Sequence, residues 1–158
     1  MKKSIFITAA VVLFMGTFAS AQDLIQYTWD TYKTKFQIGS DFEVLDNTSE
    51  KFSAGNSNIN LTIYPEKVSK LTTGKMKSSL KQWTKNNGVT PSKNGYLSLK
   101  DLNGYWGVMV DGYKGTQQVF LMMIHDPDYA DIAMYVWVAY NQQGYDTALA
   151  ILKSFTPN

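Results

Sequence analysis

Residues 132–140, IAMYVWVAY, carry no charge and no turn-forming residue. In an extended chain successive side chains point to opposite faces, so Ile132, Met134, Val136, Val138 and Tyr140 share one side and Ala133, Tyr135, Trp137 and Ala139 the other. An antiparallel strand apolar on both sides has to be covered on both sides. The segment before it, GYLSLKDLNGYWGVMVDGYKGTQQVFLMMIH (residues 95–125), reads as three further strands. Turns are expected at Asn103-Gly104, at Gly112 to Gly115 and at Asp126-Pro127-Asp128, because these residue types fit backbone angles that others avoid. Sequential strands with short connections pair antiparallel.

Two helical patterns supply the covers. Over residues 72–87, Thr72 or Thr73 caps the start, Met76, Leu80 and Trp83 recur at helical spacing, and Gly88 follows Lys85 as a stop. Over Tyr145 to Phe155, Tyr145, Ala148, Leu149, Leu152 and Phe155 line one face, with Asp146 in the first turn. The expectation is an α+β domain in which an antiparallel sheet is covered by helices on both faces, a helix–sheet–helix sandwich.

Upstream, KTKFQI and DFEVLD, with Gly39-Ser40 between them, read as two short strands joined by a tight turn. KFSAGNSNINLTIYP puts Ile59, Leu61 and Ile63 on a dry face and Asn58, Asn60, Thr62 and Tyr64 on a wet one, with Pro65 ending the strand. Residues 23–32 read as a lead-in.

The first residues give the compartment. Lys2 and Lys3, an apolar run from Ile5 to Phe18 and the small residues Ala19-Ser20-Ala21 make a secretory signal peptide, so residues 1–21 are a leader and 22–158 one exported domain. The apolar run is shorter than the ~20 residues that span a bilayer, and no stable membrane insertion is expected after cleavage. With no cysteine there is no disulfide, thiolate site or lipid attachment at that boundary. All 15 basic residues are lysine, and without the leader's two they balance the 13 acids. A neutral chain lacking the arginine fork argues against nucleic acid.

The order of elements, with KFQIGSDFEVL, NLTIYP, a mid-chain helix, the Gly-aromatic-aromatic-Gly strand NGYWGVMVDG and a closing ALAILKSF helix, resembles the Mog1/PsbP-like fold across Thr34 to Phe155. Members of that fold include a partner of a nuclear GTPase, an extrinsic subunit of the photosynthetic oxygen-evolving complex and many secreted bacterial proteins. The resemblance therefore implies an adaptor or accessory role more than a reaction. It carries no functional residue across, and a fold does not by itself fix a function.

Candidate chemistry centres on three groups. His125, the chain's only histidine, with Asp126, Asp128 and Asp131, offers a general base or ligands for a hard cation, yet the stretch lacks the calcium-loop spacing, and Asp-Pro-Asp is ordinary turn chemistry. A small hydrolase or metal-dependent protein built on these four is the alternative to a binding module. The binding reading expects His125 exposed on a hairpin tip, and the enzyme reading expects it in a concave site with an acid turned toward it. Lys75, Lys77, Lys81 and Lys85, in a stretch with no acid, form a candidate surface for another protein of acidic character. Tyr105, Trp106, Tyr135 and Trp137 are candidates for a ligand groove or a sugar-stacking platform, and a carrier of a small apolar ligand would need an open cavity beside Trp106 or Trp137. No cofactor is called for.

Overall fold

The computed structural model describes residues 23–129 and 131–158; the leader and its cleavage point lie outside the described residues. Two hairpin-built sheets pack together. The residues read as a lead-in are in fact strand β1 (Leu24–Trp29), which pairs antiparallel with β2 (Thr34–Gly39). The connection is one turn of 3-10 helix, Asp30–Tyr32, closed by Lys33 in the left-handed region at φ 47°. The strands on either side of Gly39-Ser40 exist, but they do not pair with each other. Strand β2 stays in the small sheet, while β3 (Glu43–Asn47) crosses to the edge of the large one and pairs with β4 (Phe52–Gly55), with a bulge between Val44 and Asp46.

Strand β5 (Ile59–Lys67) buries Ile59, Leu61 and Ile63, and Pro65 does not end it. The strand runs on because β4 stops opposite Ile63, so from Tyr64 onward one edge of β5 is unpaired and a residue without N–H is tolerated there. Helix α1 (Thr73–Asn86) has Thr72 as its cap, the hydroxyl accepting from the Lys75 N–H at 3.3 Å, and Gly88 beyond its end at φ +67°. A two-residue strand β6 (Thr90–Pro91) follows, then β7 (Leu97–Leu102), β8 (Tyr105–Lys114), β9 (Gln117–His125) and β10 (Ile132–Tyr140). Asn103 (φ 52°) and Gly104 (φ 101°) make the β7–β8 turn, whose two positive φ angles are those of a type I′ hairpin. The next turn is Gly115-Thr116 and does not reach back to Gly112, which lies inside β8, where a Cβ would sit 2.4 Å from the Thr90 carbonyl oxygen, so it is glycine because β6 approaches there. After a short 3-10 turn come helix α2 (Tyr145–Lys153) and β11 (Thr156–Pro157), which joins the free edge of β2.

The large sheet has eight strands in the order β3-β4-β5-β10-β9-β8-β6, with β7 also on β8. Central β10 separates two cores, as its sequence demands. Ala133, Tyr135 and Ala139 pack in one cluster with Met76 and Leu80 of α1. Met134, Val136, Val138 and Tyr140 pack in the other with Ala148, Ile151 and Leu152 of α2 and with Trp29, Phe36 and Ile38 of the small sheet. The expected single sheet between two helices is thus corrected to two sheets, because β1 and β2 bring Trp29, Phe36 and Ile38 into the second core beside α2. Each fully buried Leu, Ile or Phe in these layers is worth roughly 1.5–3 kcal/mol.

Candidate functional site

His125 is the last residue of β9, paired with Ala133 on one side and Trp106 on the other, and only 3% exposed. The expectation that it stands exposed on a hairpin tip is therefore corrected. Its Nδ1 lies 2.9 Å from the Ile132 carbonyl oxygen, and since a carbonyl only accepts, Nδ1 carries the proton. Its ring meets Trp106 edge-on at 6.2 Å. The acids beyond it serve the loop: Asp126 Oδ1 accepts the Asp128 N–H at 2.9 Å, the Asx turn that Asp-Pro-Asp encodes, and the Asp131 carbonyl accepts the Val68 N–H. Asp128 and Asp131 are exposed, and no group of three His, Cys, Asp or Glu suited to a metal occurs among the described residues.

Strand alternation sends His125 to the α1 side of the sheet and Ile124 to the other. On that other side a cavity of about 330 Å³ is floored by Ile124, Ile132 and Met134 and walled by Tyr32, Tyr105 and Asp126. The Tyr105 hydroxyl pairs with Thr34 Oγ1 at 2.9 Å, and burial, with Asp126 nearby, pushes its pKa up to about 12 against the opposing effect of that hydrogen bond.

The α1 side carries two adjoining hollows, of about 260 and 510 Å³, that share a ridge formed by Tyr64 and Trp83, whose rings lie edge-to-face at 6.4 Å. The first is bounded by Asn60 and Thr62 on the wet face of β5, Trp137 on β10, Asn87 after α1, and Lys114. Trp83 meets Trp137 at 5.9 Å with rings at 88°, and Lys114 Nζ stands 5.3 Å over the Trp137 ring. The second is bounded by Glu66, Ser79, Gln82, Asn86 and Tyr135. The Tyr135 hydroxyl is hydrogen-bonded to Ser79 and to Glu66, and burial followed by the Glu66 charge pushes its pKa up to about 12.

Of the four aromatic candidates, the structure brings Tyr135 and Trp137 to these hollows, turns Tyr105 to the opposite face, and leaves Trp106 beside His125, 40% exposed. Trp83, Asn60, Thr62, Tyr64 and Asn87 were missed as site residues; the signal was the polar half of NINLTIY, read only as a wetted face. At about 100° per residue, α1 turns Ser79, Gln82, Trp83 and Asn86 toward the hollows and Lys77, Lys81 and Lys85 to the opposite flank, with Lys75 apart from them. Lys81 Nζ sits 5.6 Å over the Tyr96 ring, Lys75 Nζ donates to the Lys70 carbonyl, and Lys85 is exposed.

No protein-family profile matches the chain, and no curated protein matches it by sequence. Solved structures do. The Ran-binding protein Mog1p of Saccharomyces cerevisiae superposes with a TM-score of 0.54 at 10% identity, over 87% of this chain and 96% of that one. LpqN of Mycobacterium tuberculosis, described as involved in cell envelope biogenesis, superposes with a TM-score of 0.53 at 12% identity, over 86% of this chain and 91% of that one. At such identities the likeness concerns the fold alone, and it agrees with the element order read from the sequence. Two helices and two mostly antiparallel sheets among the described residues, with matches over 86–87% of the chain, give it the Mog1/PsbP-like fold.

Proposed function

We propose that residues 22–158 are an exported, non-catalytic binding or accessory module that recognises its target across the α1 side of the large sheet. The observation that carries this reading is the pair of hollows around the Tyr64–Trp83 ridge, a concave surface of aromatic rings, amides and hydroxyls. The Ran-binding and cell-envelope descriptions of the two similar structures are consistent with a binding or assembly role. No helix among the described residues is long and apolar enough to cross a membrane, which fits a domain that leaves its leader behind. Another protein is the natural second partner, with an acidic surface meeting the Lys77, Lys81 and Lys85 flank and lying apart from the hollows.

The test is site-specific photocrosslinking of the exported chain in the cells that make it. The photoreactive residue is placed at Asn86 on the groove rim, at Lys85 on the lysine flank, and at Lys100, exposed on β7. Discrete adducts from Asn86 or Lys85 and none from Lys100 are expected. Adducts at all three positions alike, or at none, would count against a dedicated recognition surface. N-terminal sequencing of the exported protein should begin at Gln22.

A further inference from the structure

We infer that the groove along β5 is a binding site for a neutral oligosaccharide. The inference deepens the binding-module reading and rests on it. A sugar ring offers an apolar C–H face and an edge of hydroxyls that both donate and accept. A site for it needs exposed aromatic faces with uncharged bifunctional groups beside them. The groove has this composition: Tyr64, Trp83 and Trp137 are partly exposed, and Asn60, Thr62 and Asn87 stand around them. Aromatic rings bring large apolar area with few rotors, and a primary amide carries two donors and an acceptor.

The hydrogen bonds leave capacity for a ligand. Asn60 Oδ1 accepts from Thr62 Oγ1 at 3.2 Å, and among the described residues no bond engages the Asn60 amide nitrogen. Asn87, which lines the hollow, donates to the Trp83 carbonyl through Nδ2 at 2.8 Å, and among the described residues no bond engages its amide oxygen. Lys114 makes no ion pair among the described residues and sits over Trp137, so it adds donors without a competing acid. From Asn60 to Glu66 the wet face of β5 runs about 20 Å at the usual strand rise, long enough for several linked rings and not one alone. The Tyr64–Trp83 ridge divides that length into two hollows, each with its own hydroxyl and amide set.

Competing occupants fit less well. A strand-forming peptide needs a free sheet edge; β5 is hydrogen-bonded on both sides from Asn60 to Ile63, and on the short edge left free beyond it Pro65 has no N–H to offer. An apolar tail would cover the Asn60 amide nitrogen and the Asn87 amide oxygen without offering either a partner. A polyanion would find Lys114 alone in the first hollow and Glu66 in the second.

The experiment uses the chain from Gln22 on, titrated with neutral hexasaccharides of glucose, mannose, xylose and N-acetylglucosamine. Binding is followed by tryptophan fluorescence and calorimetry, and each saccharide is recovered for mass spectrometry. A parallel sedimentation with insoluble glucan and chitin separates recognition of free chains from recognition of polymer. Saturable binding of at least one probe in either arm is expected, weakened by about tenfold or more in Trp137→Ala and in Asn60→Ala and unchanged in Trp106→Ala. Asn60 is exposed, so its variant should melt as the parent does and keeps the test valid even if Trp137→Ala fails to fold. No saturable binding to any probe up to about 10 mM, or binding indifferent to both groove substitutions, overturns the saccharide inference and leaves the module reading standing. A bound saccharide recovered cleaved would instead keep the site and overturn the non-catalytic reading.

Discussion

His125 Nδ1 donates to the carbonyl oxygen of Ile132 at 2.9 Å, closing the mouth of the β9–β10 hairpin from inside the sheet. The ring is a structural plug with a satisfied donor. His125→Ala should therefore lower stability by about 1–3 kcal/mol, through the lost contact with Trp106 and an orphaned carbonyl. Asp128→Ala, on the exposed loop, should change it by less than about 0.5 kcal/mol. Thermal melts of both, after chelator and then with calcium or zinc, should show no metal-dependent shift. A rise in midpoint abolished by either substitution would make the loop a metal site.

Gly112→Ala and Gly115→Ala separate two uses of glycine on the same hairpin. At Gly112 the new Cβ meets the Thr90 carbonyl oxygen at 2.4 Å, so β6 has to leave β8, at a cost of about 1–3 kcal/mol. At Gly115 (φ +61°) there is open space, and only the left-handed backbone opposes alanine, by about 1–2 kcal/mol. Denaturant melts should rank Gly112→Ala as the worse, with hydrogen exchange rising at Val89 to Ser92 in that variant alone.

Phe155, fully buried after α2, stacks on Phe36 of β2 at 5.0 Å with rings 18° apart. Phe155→Ala should cost about 3–5 kcal/mol. A melt within 1 kcal/mol of the parent, on the order of a surface change, would mean that α2 does not hold the small sheet.

Burial pushes Tyr105, Tyr135 and Tyr140 up to about 12. In the unfolded chain these phenols ionise near 10, so there the unfolded state releases protons that the folded state keeps. Their contribution is complete below about pH 10 and is lost as pH rises toward 12, which predicts a steep alkaline fall in stability over that window. Phenolate absorbance should show a late-titrating class that merges with the early one on unfolding. A single transition near 10 in the folded protein would contradict the burial of all three.

The legible parts of the fold were those whose residues act locally. IAMYVWVAY announced two cores, Asn103-Gly104 announced a hairpin, and Thr72 and Gly88 bracketed α1. The β1–β2 hairpin was hidden because its turn hinges on Lys33 at φ 47°, a conformation that Gly or Asn usually advertises. With that turn invisible, Gly39-Ser40 became the nearest punctuation, and β2 was given the wrong neighbour. Pro65 misled for a similar reason: whether proline ends a strand depends on the length of β4, which the residues around Pro65 do not encode. In the candidate site, Trp137 and Tyr135 stood out by composition. Asn60, Thr62 and Trp83 did not, because a groove wall assembled from β5, β10 and α1 leaves no pattern in any single segment.

Strand β2 is held between β1, which precedes it, and β11, where Thr156 pairs with Lys35 across about 120 residues. Asn103 tightens the same region by donating to the carbonyls of Lys153 and Phe155. The β1–β2 hairpin closes locally, but the β2–β11 pairing that completes the smaller sheet carries the loop-closure cost of a long-range contact and needs residue 156. Until then Phe36, Ile38 and the Val136 side of β10 lack part of their cover. A chain of this design sets its last few residues as the closing edge of a sheet that its first described residues begin, so the smaller sheet is completed only when the two ends of the domain meet.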